Sequence, residues 1–327
     1  MLVLGGTNFV GPAIVDAALS RGHRVTLFNR GITRPELFPN AEKLRGLRGT
    51  KREDLSALSG TRHWDAVVDV WPEQSALVES TAKLLVDRVS FYYFISSIAV
   101  YRDYSRPGVK ETAEVRRNDP GYGGEKSRAE SIIGKLYADR YGVARCHSIF
   151  GPRDPGSTLH YWLRRFAAHN QVAAPGDGGD PIQFVDVRDV ALWVVQSIER
   201  KLAGIYNMAS APMPFREFLA ACKSAVDSSA ALTWIEKDFI YQQGIRAFNE
   251  LPLWIPKEED PGFFGISSEK AQQAGMRFRP HQETVAAAWN WYRSAFFKDT
   301  QFPHNGWGIS RQREERLLHA WQDQVLK

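Results

Sequence analysis

Short apolar runs alternate with stretches of helical period over roughly the first 150 residues. The runs predict strands near residues 1–4, 24–28, 43–47, 65–70, 91–95 and 143–149, with helices filling the gaps. Leu2-Val3-Leu4 leads into Gly5-Gly6-Thr7-Asn8-Phe9-Val10-Gly11 and then into the helical pattern Ile14, Val15, Ala18 and Leu19. A second strand, Val25 to Phe28, follows at the distance that completes a βαβ unit. Asp65 to Val70 reads as a buried parallel strand. Beyond residue 150 the texture changes: loop signals such as Ala174-Pro175-Gly176-Asp177-Gly178-Gly179-Asp180-Pro181 multiply. Eight of the ten Trp also fall there: Trp162, Trp193, Trp234, Trp254, Trp289, Trp291, Trp307 and Trp321.

Three motifs carry chemistry. Glycines between a first strand and a first helix allow a tight turn and close approach of a pyrophosphate to the helix N-terminus. The run Phe91 to Tyr101 is rich in β-formers and contains Ser96 and Ser97 where a parallel sheet presents its ligand-binding edge. Tyr122 and Lys126 lie four residues apart, on one face of a helix. An ammonium beside a phenol is expected to pull the phenol pKa below its usual value of about 10, as a general acid or base requires. Each motif alone is weak; a Ser-Ser pair is usually a turn and a Tyr–Lys pair a solvated helix start. Their order along the chain is far more specific. The predicted fold is α/β, a Rossmann-type doubly wound parallel sheet.

With these motifs the chain resembles the short-chain dehydrogenase/reductase superfamily, in its extended and atypical branch of NAD-dependent epimerases and dehydratases. The likeness covers most of the first 210 residues, including Arg145 to Asp154 and Phe184 to Ala191. It implies a dinucleotide-binding domain over 1–150, with returns to the sheet at about 182–209. A smaller, mixed α/β C-terminal substrate domain is implied over 151–327, interleaved with those returns. By the same resemblance Ser97 orients the substrate, Tyr122 is the acid/base, and Lys126 tunes Tyr122 and holds the nicotinamide ribose. Gly5, Gly6, Thr7, Asn8, Phe9, Val10, Gly11, Asn29, Arg30, Trp71, Ser96 and His147 join Tyr122 and Lys126 around the cofactor. Asn8 replaces the usual middle glycine, so the loop is expected either to open slightly or to take positive φ at Asn8. Ile182 stands where nucleotide-sugar enzymes carry an Arg, which disfavours a UDP- or dTDP-sugar. Asn29-Arg30-Gly31 replaces the acid that would bond the ribose 2′-OH, and Arg30 suits a 2′-phosphate, so NADP(H) is favoured with NAD(H) left open.

Further residues have two readings each. Trp71, before Pro72, either walls the ribose or adenine pocket or is an ordinary core Trp. Thr33, Arg34, Lys51 and Arg52 add to a phosphate field or are solvated surface. His147 bonds substrate or carboxamide, or sits buried and satisfied. His160 and Tyr161 are candidates for the substrate entrance. Most of the C-terminal Trp are expected to pack that half, with one or two facing an apolar or aromatic substrate.

Composition narrows the class. A formal charge of +5 with no long basic tract makes nucleic-acid binding a minor reading. Cys146 and Cys222 show no metal spacing and fit a reducing compartment, and no apolar run approaches membrane-helix length, so a cytoplasmic location is expected. No metal site is expected, and a homodimer is left open. Three functions stay in play. They are an NAD(P)-dependent oxidoreductase of a carbonyl or secondary alcohol, an epimerase or dehydratase that retains its nucleotide, and a nucleotide-sensing or RNA-binding protein. The last rests on the likeness of Gly-Gly-Thr-x-Phe and Asn-Arg-Gly to chloroplast stem-loop RNA-binding proteins.

Overall fold

A computed structural model describes all residues except 50, 52, 72, 156–157, 297–305 and 327. Pro72 and Arg52 therefore lie outside the described residues. The first strand β1 (Leu2–Leu4) is followed by β2 (Thr26–Asn29), β3 (Glu42–Arg45), β4 (Trp64–Asp69), β5 (Val89–Ser97), β6 (Tyr141–Cys146) and β7 (Gly204–Met208). They form one seven-stranded sheet in the order β7-β6-β5-β4-β1-β2-β3, parallel at every pair. The order reverses between β1 and β4, and a ligand of such a sheet binds at that switch point. β5 runs further than its apolar core suggests. Pairing of Ser96 with Arg145 and Ser97 with Cys146 carries both serines into the strand.

Helices α1 (Val10–Ser20), α2 (Ser75–Leu85), α3 (Gly121–Tyr137), α4 (Thr158–Ala168) and α5 (Val187–Glu199) set the layers. Val3, Leu27, Val68 and Tyr93 pack under α1 and α5, while Leu2, Leu4, Val67 and Tyr92 pack under α2 and α3. Residues one apart on a strand thus serve opposite faces, both covered, which is why these strands are apolar almost throughout. Trp193 belongs to this layer and not to the C-terminal half: its indole N–H donates to the Tyr93 hydroxyl at 2.9 Å.

A second core gathers α4, the helices Phe215–Ala225 and Arg311–Val325, and a parallel pair of strands, Gln171–Pro175 and Ala231–Ile235. Trp162 and Trp254 are fully buried there, and their indoles donate to the Pro252 carbonyl and the Asp180 carboxylate, each at 2.7 Å. Ile182 is 0% exposed in the same core, where an apolar side chain is at home. Among the described residues no helix is long and apolar enough to cross a membrane.

Candidate active site

The loop after β1 is shaped by its glycines. Gly5 and Gly6 have φ of 112° and 87°, values open to glycine at little cost. A Cβ on Gly11 would sit 2.7 Å from the Gly6 Cα and backbone N, so α1 reaches the loop only because Gly11 lacks a side chain. Positive φ falls at Phe9 (39°) and not at Asn8, so of the two alternatives for that position the positive φ is not the one taken. The first turn of α1 has no side-chain cap and no carboxylate. The dipole of α1 suits a pyrophosphate, and the close Gly6–Gly11 contact leaves room for one beside the loop.

A cavity of about 450 Å³ opens beside the loop, with Gly6, Asn8, Arg30, Thr33, Leu47 and Trp71 in its wall. Asn29 also lines it, but its side chain is committed: it donates to the Gly5 carbonyl at 2.9 Å and accepts from Gly31 N–H at 2.9 Å. Asn29 is thus a brace for the loop. Arg30 is exposed at the cavity edge. Arg48, also in the wall, grips the fully buried Asp69 through two hydrogen bonds of 2.5 and 2.8 Å. Asp69 further accepts from the Tyr92 hydroxyl at 2.6 Å and from the Trp71 N–H at 3.2 Å, so β4, β5 and the loop after β3 are tied together under Trp71.

On the other side α3 is drawn against the end of β5. A Cβ on Gly123 would lie 2.1 Å from the Ala99 carbonyl oxygen, and one on Gly124 1.9 Å from that of Asp119. Gly123 lets the first turn of α3 press on the turn after Ser97, and Gly124 lets that turn pack on its own lead-in at Asp119. Ser97 accepts from Ala99 N–H at 3.2 Å, and its hydroxyl is near enough to the Tyr122 phenol to pull the phenol pKa down. Lys126, 2% exposed, donates to the Ile95 carbonyl at 2.6 Å. Its Nζ lies 4.1 Å from the centre of the Trp71 ring, 5.0 Å from Phe94 and 5.6 Å from Tyr122. Trp71 in turn meets Tyr122 edge-on, the ring centres 6.1 Å apart.

The electrostatics differ from expectation. Burial brings the Lys126 ammonium down to about 7, against the opposing pull of Asp69 and Glu130. Tyr122 is 53% exposed as a residue, yet crowding at the phenol raises its pKa above the ordinary value, and the Ser97 hydroxyl only partly offsets this. The predicted lowering of the Tyr122 pKa by Lys126 is therefore not found. Lys126 is directed to the Ile95 carbonyl and the Trp71 face, and desolvation prevails at the phenol.

Other predicted residues turn away. Ser96 is buried and donates at 2.5 Å to Glu130, which also holds Arg145, so its hydroxyl faces a structural ion pair and not a cofactor. His147 is likewise corrected. Its Nδ1 accepts from Ser148 N–H at 2.7 Å, leaving Nε2 to donate to the Phe263 carbonyl at 2.9 Å, and burial depresses its pKa to about 4. His160 is buried against Tyr292, and Tyr161 packs on Gly308, so both serve the C-terminal half and not a substrate entrance. Arg34 lies over the Trp291 ring at 5.5 Å, and Lys51 is exposed. Sequence reasoning missed Arg45, Leu47 and Arg48 at the end of β3, and the part played by Gly123 and Gly124. The rule that ligands sit at the carboxyl ends of parallel strands, applied to the third strand, points to the first three.

The doubly wound parallel sheet with a glycine loop after its first strand is the fold of the extended short-chain dehydrogenase/reductases. The chain belongs to the NAD dependent epimerase/dehydratase family, whose model matches residues 1–209. Solved structures agree on the fold. The Bordetella bronchiseptica enzyme WbmH, determined in complex with NAD+, superimposes with a TM-score of 0.70 at 18% identity, over 90% of this chain and 98% of that one. A UDP-glucose 4-epimerase gives 0.71 at 14% identity, over 95% and 99%. Among curated relatives, the chloroplast stem-loop binding protein of 41 kDa b of Arabidopsis thaliana is 24% identical over 69% of this chain. The bifunctional pinoresinol-lariciresinol reductase 2 of Linum usitatissimum is 23% identical over 61%. The matched regions span 62% of each relative's length.

Proposed function

We propose that this protein is an NADP(H)-preferring oxidoreductase that interconverts a carbonyl and a secondary alcohol on a small substrate. The observation that carries this reading is the convergence of Ser97, Tyr122 and Lys126 beside Trp71, a wall of the nucleotide cavity. Bound nicotinamide supplies or accepts the hydride. Ser97 and Tyr122 together hydrogen-bond the substrate oxygen, and Tyr122 transfers the proton. A phenol whose pKa stands above its ordinary value is protonated at neutral pH, which suits proton donation and hence carbonyl reduction. Arg30, exposed at the cavity edge with Asn29 in place of an acid, supports a 2′-phosphate contact of about 1.5–3 kcal/mol, one to two decades of affinity.

An apolar or aromatic substrate fits a ladder of rings rising from the Ser97 turn. Tyr104 donates to the Ile98 carbonyl at 2.7 Å, and Tyr104–Phe263, Phe263–Phe248 and Phe248–Trp307 pair at 5.3, 5.4 and 5.5 Å. The reductase name of the Linum relative supports the same direction. Two buried, unbridged thiols suit a cytoplasmic location.

The test is calorimetric titration with NADPH and NADH, then a panel of carbonyls and alcohols followed by nicotinamide absorbance. Tighter NADPH binding and stoichiometric consumption are expected. Turnover without net consumption means the retained-nucleotide epimerase or dehydratase instead. Salt-sensitive RNA retention with no turnover would move the protein toward the function named for the Arabidopsis relative.

A further inference from the structure

Asn29 and Arg45 stand in direct register at the carboxyl ends of β2 and β3. Arg45 Nη1 donates to Asn29 Oδ1 at 2.5 Å, and Asn29 donates to the Gly5 carbonyl at 2.9 Å. One amide thus links a β3 guanidinium to the glycine loop. The guanidinium lies across Gly31, where an added Cβ would come within 2.9 Å of Arg45 Nε and Cζ, and the φ of 74° at Gly31 also disfavours a side chain. Only glycine leaves this shelf free.

The charges nearby are distributed unevenly. Arg48 is matched by Asp69, and Glu42, further back on β3, is paired with Arg62. No carboxylate lies within ion-pair distance of Arg30 or Arg45 among the described residues, and both side chains are exposed. Glu73 is the one carboxylate among the residues lining the cavity. A guanidinium carries five N–H donors, and the contact with Asn29 takes one from Arg45.

We infer that Arg45 is a specificity-determining residue, the second arm of a two-arginine clamp for the nucleotide 2′-phosphate, with Arg30 as the first arm and Asn29 as the brace. This rests on the NADP(H) reading above and extends it to a residue of β3. Phosphate oxygens accept side-on from a planar guanidinium, whereas the 2′-hydroxyl of NADH offers no charge to either arm.

Titration calorimetry with NADPH and NADH on wild type, Arg30→Ala, Arg45→Ala and Arg45→Lys tests the clamp. Arg45→Ala should weaken NADPH about tenfold and NADH less than about twofold. Arg45→Lys should fall between, because an ammonium keeps the charge without the fork. Gly31→Ala, which displaces the guanidinium, should reproduce Arg45→Ala. Intact NADH binding in each variant reports that the fold and cavity survive. If wild type prefers NADPH, Arg30→Ala abolishes the preference and Arg45→Ala leaves it whole, Arg45 has no part and the Arg30 reading stands. A wild type with no NADPH preference overturns the cofactor reading and the clamp together.

Discussion

The two banks of the site are built differently. Along the ends of β1 and β2 the nucleotide's place is shaped by absent side chains at Gly5, Gly6 and Gly11 and by the Asn29 brace, with Arg30 exposed at the rim. Along β5 and α3 the reactive groups are side chains whose properties come from what surrounds them: a lysine beneath an indole and a phenol against a serine. The first bank is mainly a shape, with charge only along its exposed rim. The second is an electrostatic arrangement in which one atom decides the outcome.

Tyr122→Phe should give the largest effect, since it removes the hydroxyl that carries the transferable proton and keeps the ring. The lost hydroxyl also takes with it the contacts to Ser97 and to the substrate oxygen, and we expect turnover to fall by about two decades or more with nucleotide affinity little changed. Steady-state rates beside a binding titration would expose the opposite pattern, which would erase the distinction between the banks.

Next come two glycines that play matching steric roles on opposite sides. Gly11→Ala and Gly123→Ala each force a methyl into backbone, at 2.7 Å from Gly6 and 2.1 Å from the Ala99 oxygen, and each should cost about 1–3 kcal/mol of stability. Their functional costs should separate: Gly11→Ala should weaken nucleotide binding, and Gly123→Ala should lower turnover by moving Tyr122 off Ser97. Thermal melts with paired kinetics check this, and a shared phenotype would show that the banks move as one.

Trp71→Ala probes the cover over Lys126. Loss of the cation–π contact should cost about 0.5–2 kcal/mol. Because burial is the main cause of the lowered Lys126 pKa, admitting water should raise it from about 7 toward its ordinary value. NMR titration of the Lys126 ammonium gives the sign directly, and a fall would mean the ring held the charge more strongly than burial opposed it.

The smallest effect is spectroscopic. The difference in near-ultraviolet phenolate absorbance between wild type and Tyr122→Phe should develop only above pH 10 or so in the nucleotide-free protein. A signal below about pH 9 would give Lys126 the influence that the structure denies it.

Local pattern made much of this legible. The strand predicted at 65–70 is β4 at Trp64–Asp69, and that at 143–149 is β6, which stops at Cys146 and leaves His147 in the segment beyond. The glycine loop, Ser97, Tyr122 and Lys126 were readable because each motif sits at an element boundary that composition marks. Ser96 and Ser97 were not separable by pattern alone. Alternation along β5 sends one inward to Glu130 and leaves the other beside Tyr122.

The chain by itself determined the sheet, the loop and the candidate trio of Ser97, Tyr122 and Lys126, because apolar period, glycine and the four-residue Tyr–Lys spacing are local properties of a sequence. Only the tertiary structure decided how those groups ionise and what they touch. Burial of Lys126 depends on Trp71 from another strand end, the state of His147 on Phe263 more than a hundred residues away, and the setting of Arg45 on Asn29 across a strand pair. Desolvation and hydrogen bonding act through space, so they are fixed only when distant segments meet.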